Sequence, residues 1–313
     1  VKMATHVHRE TGMKNLCLAG GVGLNCVANW RILQEAGFEN IFIQPAAGDS
    51  GGALGTAFYI YNTVLGLPRK FEMHHALWGP EFTNAQIKAV LDAAEAIYEI
   101  AENENQLLES TARMIAEGKV VAWFQGRIEF GPRALGARSL LADARDNNMK
   151  DTINAKVKFR EAFRPFAPAV LREHAHEYFE MPEGMDMPFM LLVPKVRPEK
   201  RAAIPAVTHE DGTGRVQTVT EQHNGRYYRL IRAFHRLTGV PVVINTSFNV
   251  RGEPIVCTPQ DAYHTFVNTG IDALVIGDFI VTHKPSRVDY DAGMKRSIAL
   301  EAGLRTADRV TVR

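Results

Sequence analysis

The sequence predicts an α/β protein, and three observations carry that prediction. Two strand, turn and helix units follow one another within the first ~65 residues, each with a glycine-rich turn after its strand. Three later apolar runs, Val120 to Phe124, Val240 to Ile244 and Ala273 to Ile276, read as buried strands between segments of helical period. The chain of 313 residues is 46% hydrophobic and 23% charged, which is inside the globular range and enough for two domains around real cores.

The elements follow in order. Met3 to Glu10 reads as the middle of a helix that ends at the Thr11-Gly12 turn; with Val1 as first residue, the native protein is expected to begin upstream. Asn15 to Leu18 is a short apolar strand that leads through Ala-Gly-Gly-Val-Gly-Leu-Asn into a helix reaching Leu33. Ile41 to Gln44 is the next strand, followed by Pro45, the turn Gly48-Asp49-Ser50-Gly51-Gly52 and a small-residue helix over 53–64. Leu65 to His75, with Pro68 and a basic pair, reads as a linker.

Thr83 is positioned to cap an Ala-rich helix running to Ala96, and Glu102 to Gly118 is a more amphipathic helix ending at glycine. The region 125–170 is dense in Gly, Pro and Arg and fits neither period, so functional loops are expected there, with one helix from Lys150 to Lys158. Segment 181–223 is expected to loop over the surface, and Arg226 to Leu237 and Asp261 to Asn268 to be helices. No internal repeat is visible, and the polar tail from Pro285 carries no signal.

Composition excludes several classes. Lys plus Arg number 36 against 35 Asp plus Glu, so a net charge of +1 offers no global attraction to nucleic acid or an anionic membrane, and any anion site must be local. Cys17, Cys26 and Cys257 are odd in number and widely spaced, against a disulfide framework or a CxxC metal site, and a reducing cytoplasm is the natural setting. No apolar run approaches the roughly 18 residues of a membrane span, and no signal-peptide order opens the chain.

The strongest functional signal is basic. Nine Lys or Arg fall between Arg127 and Arg164, where the chain average predicts about four. Arg127, Arg133 in GPRALG, Arg138 before Ser139, and Lys158, Arg160 and Arg164 in KFREAFRPFAP sit among Gly, Pro and Phe rather than on a solvated helix face. Arginine held in glycine turns presents a fixed fork of donors suited to phosphate and carboxylate oxygens. An exposed basic surface is the plain alternative, but it does not call for so many special backbone conformations.

A second constellation is VVINTSFN, where a strand runs into Asn245, Thr246, Ser247 and Asn249 at what should be the carboxyl edge of a sheet, the usual place for ligands in α/β proteins. A third is AGGVGLN, residues 19–25, a glycine turn that lacks both the Walker A and the GxGxxG spacing. Asp49, on the other glycine turn, is either a helix cap or a metal or Mg-nucleotide ligand. The histidines, spaced i, i+2 or lying in loops, carry no role.

QGRIEFGPRALGARSLLADAR (125–145), KVKFREAFRPFAPAVL (156–171), INTSFNVRGEPIV (244–256) and LCLAGGVGLN with GDSGGALGTA together resemble the O-carbamoyltransferases of nodulation-factor and antibiotic biosynthesis, in order from about Asn15 to Lys284. The resemblance implies that residues 1–70 end a transfer lobe of the actin and sugar-kinase fold. Residues 71–285 would then form a YrdC-like lobe with a twisted mixed sheet, and 286–313 a tail. It implies two steps: carbamoyl phosphate and Mg-bound ATP give carbamoyl-adenylate in the YrdC-like lobe, and a metal such as Fe(II) helps transfer the carbamoyl group to a hydroxyl of a sugar or antibiotic.

By the same resemblance Arg133, Lys158, Arg160 and Arg164 act on the phosphates, with Arg127, Arg138, Ser139, Asn245, Thr246, Ser247 and Asn249 lining the pocket. Gly20, Gly21 and Asn25 would contact adenosine, and Asp49 would be the one metal ligand present. The family's metal-binding histidines have no match in this chain. Two rivals remain open: threonylcarbamoyl-adenylate synthesis, separable by its need for threonine, and a non-catalytic RNA-binding module, separable by strongly salt-dependent affinity. The resemblance leaves a homodimer open and does not identify the acceptor.

Overall fold

The structure, a computed structural model, describes residues 1–158 and 165–285. Its first unit follows the expected order. Helix α1 (Lys2–Thr11) ends where Gly12 takes a left-handed conformation. Strands β1 (Asn15–Leu18) and β2 (Asn40–Ile43) pair in parallel with Asn15 opposite Asn40, joined through helix α2 (Cys26–Glu35). The Asn25 side chain caps α2 by accepting from the Ala28 N–H. Helix α3 (Gly51–Phe58) continues into a wider turn over Tyr59–Val64.

Beyond the linker, helix α4 (Asn84–Ala93) begins with a reciprocal cap between Thr83 and Gln86, which satisfies two end donors at once. Eight strands then form one mixed sheet. They are β3 (Glu99–Ile100), β4 (Val121–Phe124), β5 (Arg138–Asp143), β6 (Ala167–Leu171), β7 (Gln217–Val219), β8 (Val242–Ser247), β9 (Ala273–Ile276) and β10 (Phe279–Val281). Their spatial order is β3, β10, β9, β4, β5, β8, β6, β7; β4 with β9 and β6 with β7 run parallel and the other pairs antiparallel.

Alternation along the central strands sends side chains to two separate cores. Ala122, Phe124, Leu140, Ala142, Leu274 and Ile276 face one side, where Ile87 and Leu91 of α4 and Phe266 of helix α9 (Pro259–Val267) cover them. Val121, Trp123, Leu141, Val243 and Val275 face the other, under helices α5 (Glu104–Ala116) and α8 (Glu221–Thr238). A sheet covered on both faces hides its period of two, because positions pointing to either side are mostly apolar.

That concealment explains the main departure from expectation. Residues 125–170 are not loops throughout: β5 and β6 lie within them, and every residue of both strands is buried. RSLLAD is polar at both ends, and APAVL carries Pro168 in its interior, a residue that ordinarily argues against a central strand. The expected helix over 150–158 is α6 (Met149–Ile153), widening over Asn154–Lys158, and the short helix α7 (Arg172–Tyr178) follows β6.

Segment 181–223 has little regular structure, yet it does not run over the surface. Met187, Phe189, Met190, Leu191, Leu192, Val193 and Val196 are all buried. Phe189, Met190 and Leu191 meet Ile43 and Ala47 of the first unit in a third core that joins the two sheets. Asn29 of α2 reinforces the joint by donating to the Leu191 carbonyl at 3.1 Å and the Gly23 carbonyl at 2.8 Å.

Candidate functional site

The site begins with the connection between β4 and β5. Buried Glu129 turns its carboxylate inward, and Oε1 accepts the N–H groups of Leu135 at 2.6 Å, Ala137 at 2.7 Å and Arg138 at 3.3 Å. The backbone is wrapped around an internal anion, an arrangement like a capping carboxylate at a helix start. Gly136, at φ +98°, permits the bend, and the Tyr227 ring lies 2.1 Å from where a Cβ would stand. Trp123 Nε1 and Asn224 Nδ2 both donate to the Gly136 carbonyl.

Arg138 closes the base of this loop. Its side chain is fully buried, its guanidinium lies 3.5 Å from the Phe124 ring centroid, and it donates to the carbonyls of Gln125, Gly126 and Ala137. Burial pulls its pKa down to about 10, with the Glu129 carboxylate opposing that shift. Ser139 is likewise buried and uses its hydroxyl to accept from the Gly136 N–H. Both residues were expected to line the pocket; the structure engages them inside the protein instead. Arg127 is exposed, donates to the Gly79 carbonyl and pairs with Glu81 at 3.5 Å.

Arg133 stands at the tip of the same loop and lines a cleft of about 410 Å³ with Pro132, Ala134, Phe166, Arg215, His209 and the strand residues Asn245, Thr246 and Ser247. Cys26 and Val27 at the start of α2 also line it. Among the described residues the partly buried Arg133 guanidinium has no hydrogen-bond or ion-pair partner. Asn245 is fully buried and donates to the Ala134 carbonyl and to Gln217 Oε1, while Gln217 Nε2 donates to the Leu135 carbonyl at 2.8 Å. Two side chains from β7 and β8 thus hold the Arg133 loop from outside as Glu129 does from within.

Lys158 reaches the same strand end. Its ammonium donates to the Ser247 carbonyl at 2.5 Å, to Asn249 Oδ1 at 2.8 Å and to the Asn249 carbonyl at 2.9 Å. Ser247 Oγ in turn donates to Asn249 Oδ1 at 2.7 Å. Arg133, Lys158, Asn245, Thr246, Ser247 and Asn249 are therefore gathered in one neighbourhood; Arg160 and Arg164 lie outside the described residues.

Two residues of the cleft were not anticipated. Arg215 comes from the segment read as surface loop, and His209 from the same stretch. Burial pushes the His209 imidazole below its ordinary pKa, Asp211 opposes that shift, and Arg215 and Lys150 add to it. The ring Nδ1 lies 3.1 Å from Thr213 Oγ1, which donates to Asp211 Oδ1 at 2.7 Å. The signal available in sequence was a compact His-x-Asp-Gly-Thr-x-Arg run in a stretch otherwise rich in Pro and charge.

The glycine turns of the first unit form a second cleft, of about 750 Å³, lined by Ala19, Gly20, Gln44, Gly48, Asp49 and Phe58. Gly20 donates its N–H to the Ala47 carbonyl. Gly21 and Asn25 stand beside this turn, Asn25 as the α2 cap rather than in the lining. Asp49 is exposed. Among the described residues no three His, Cys, Asp or Glu side chains converge as a metal site. A transition metal such as Fe(II) asks for several donors; one carboxylate does not fit it, and no step is assigned to a metal.

An α/β protein with two sheets, an arginine-lined cleft at their junction and a glycine-lined cleft in the smaller unit is the class this geometry defines. Residues 112–283 match the family described as carbamoyltransferase C-terminus, and residues 1–58 match carbamoyltransferase N-terminus. The chain belongs to the carbamoyltransferase family.

It is 44% identical over 302 residues to nodulation protein NolO of Bradyrhizobium diazoefficiens, covering 96% of this chain and 55% of that protein. It is 37% identical over 263 residues to 3'-hydroxymethylcephem-O-carbamoyltransferase of Streptomyces clavuligerus, covering 84% of this chain and 48% of that one. The chain spans about half the length of the curated relatives it matches. Full-length HypF in its phosphate- and nucleotide-bound form aligns with 60% of this chain and 23% of its own at 18% identity and TM-score 0.38, a likeness that carries no argument. No helix among the described residues is long and apolar enough to cross a membrane.

Proposed function

We propose that the cleft around Arg133 is the anion site of an ATP-dependent O-carbamoyltransferase, binding carbamoyl phosphate beside ATP. One observation carries the reading: a partly buried guanidinium without a partner among the described residues faces a cleft edged by Ser247, Thr246, Asn245 and Arg215. A half-desolvated cation is stabilised by an anion supplied from outside, and arginine's planar fork matches phosphate oxygens.

In balanced form, carbamoyl phosphate, ATP and one water give carbamoyl-adenylate, inorganic phosphate and pyrophosphate. Water releases carbamate from phosphate; a carbamate oxygen then attacks the α-phosphorus of ATP, and the bond to the β-phosphate breaks with pyrophosphate leaving. Two polyanions must be brought together, so the protein's task is positioning and charge neutralisation, without a side-chain nucleophile. Arg133 and Arg215 line the site, Lys158 fixes the Ser247 to Asn249 turn, and Arg160 and Arg164 complete the basic set by resemblance. Arg138 and Ser139 contribute through the loop they brace.

The glycine-lined cleft with Gly20 and Asp49, beside Gly21 and Asn25, is assigned to the nucleotide portion during transfer to a hydroxyl of a small acceptor. The setting is the cytoplasm, consistent with the three free cysteines. The test is pyrophosphate exchange into ATP that requires carbamoyl phosphate and not threonine. Exchange with threonine and bicarbonate alone, or none with any donor, overturns the reading.

A further inference from the structure

The residues that touch anions in such a cleft are only as good as the loop that aims them, and the aiming parts lie outside the motif's arginines. We propose that Glu129 and Gln217 are positioning residues that set Arg133 toward its anion, a proposal that rests on the anion-site reading of the cleft.

The argument starts from the loop's own chemistry. Between Phe130 and Ala137 the chain has no helix or strand, so its N–H and C=O groups need partners from elsewhere. Glu129 Oε1 takes two of the loop's N–H groups, those of Leu135 and Ala137, and also that of Arg138 where β5 begins. Gln217 Nε2 takes the Leu135 carbonyl, and Asn245, itself bonded to Gln217 Oε1, takes that of Ala134. Leu135 is therefore gripped at both polar groups, its N–H by a residue within the loop and its carbonyl by a residue from β7.

Arg133 is two residues before that grip. On its other side Gly131, at φ +134°, packs so closely on the Pro45 carbonyl that a Cβ would stand 2.8 Å from the oxygen. With the loop pinned at Gly131 and at Leu135, Arg133 has little backbone freedom, and its guanidinium, without a partner among the described residues, is held at the cleft by main-chain geometry. Such preorganisation costs nothing at the moment an anion binds. Glu129 is buried, so a direct approach of its carboxylate to a phosphate, which would be repulsive, is not part of its role.

The experiment is a thermodynamic cycle read by calorimetric titration of inorganic pyrophosphate into the intact chain, with thermal unfolding monitored alongside. Arg133→Ala is expected to weaken binding about tenfold or more, the scale of a charge-assisted pair. Glu129→Gln, which keeps an acceptor but loses the charge, should weaken it several-fold, and the double variant should bind no worse than Arg133→Ala. Additive losses, or full affinity in Glu129→Gln, overturn the proposal. Should Glu129→Gln fail to fold, Gln217→Met with and without Arg133→Ala decides by the same criterion. Wild-type affinity in Arg133→Ala would instead sink the anion-site reading itself.

Discussion

The Lys158 ammonium lies 2.8 Å from Asn249 Oδ1, across 91 positions of sequence, and it also bonds the carbonyls of Ser247 and Asn249. One side chain from the widened end of α6 thus fixes the end of β8. The cation does not stand free in the cleft; it shapes the edge on which Thr246 and Ser247 are presented.

Lys158→Ala is accordingly expected to do two things. Pyrophosphate exchange should fall at least 100-fold, and the unfolding free energy should drop by about 1–3 kcal/mol because the partly buried acceptors of Ser247 and Asn249 lose their donor. Kinetics and denaturant titration on the same preparation check both.

The two arginines of GPRALGAR should separate cleanly. Arg138→Ala removes a buried guanidinium from three carbonyls and a ring, and should cost about 3 kcal/mol or more of stability. Arg133→Ala should leave stability within about 0.5 kcal/mol while exchange collapses. Similar destabilisation in both would contradict the placement of Arg133 at the cleft.

Gly136→Ala tests the bend. A methyl there meets the Tyr227 ring and forces a side chain into positive φ, so about 2–4 kcal/mol should be lost, visible as a lower unfolding midpoint.

Asp49→Ala should leave pyrophosphate exchange at the wild-type rate, since Asp49 lines the glycine cleft and not the arginine cleft. A tenfold fall would mean that both clefts serve one step.

Acid should destabilise the fold partly through His209. Burial holds its folded pKa below the ordinary 6.5, so the unfolded chain binds more protons in the window between the two values. Its contribution is complete above 6.5 and is lost as pH falls toward the folded value. His209→Gln should flatten the slope of unfolding free energy against pH in the window just below 6.5.

Local order was legible because it rests on local chemistry. β1 and β9 have the boundaries their apolar runs announce, Thr83 caps α4, and the glycine turns follow the first two strands. β5 and β6 were hidden, since burial on both faces erases the alternation that identifies a strand, and Pro168 argues against one. The irregular segment 181–223 offered no periodic signal, although its apolar residues fill the joint between the sheets.

By itself the sequence determined the α/β class, the order of the main elements, the concentration of cations between 127 and 164 and the family likeness they carry. What only the tertiary structure decided is which cation faces the cleft. Arg133 and Arg138 are five residues apart in one motif with the same chemistry, yet one sits at a loop tip and the other enters a strand between two neighbours. Direction is set by the pairing of β5 with β4 and β8 and by the Glu129 and Gln217 contacts, and such long-range bonds leave no mark on residue spacing.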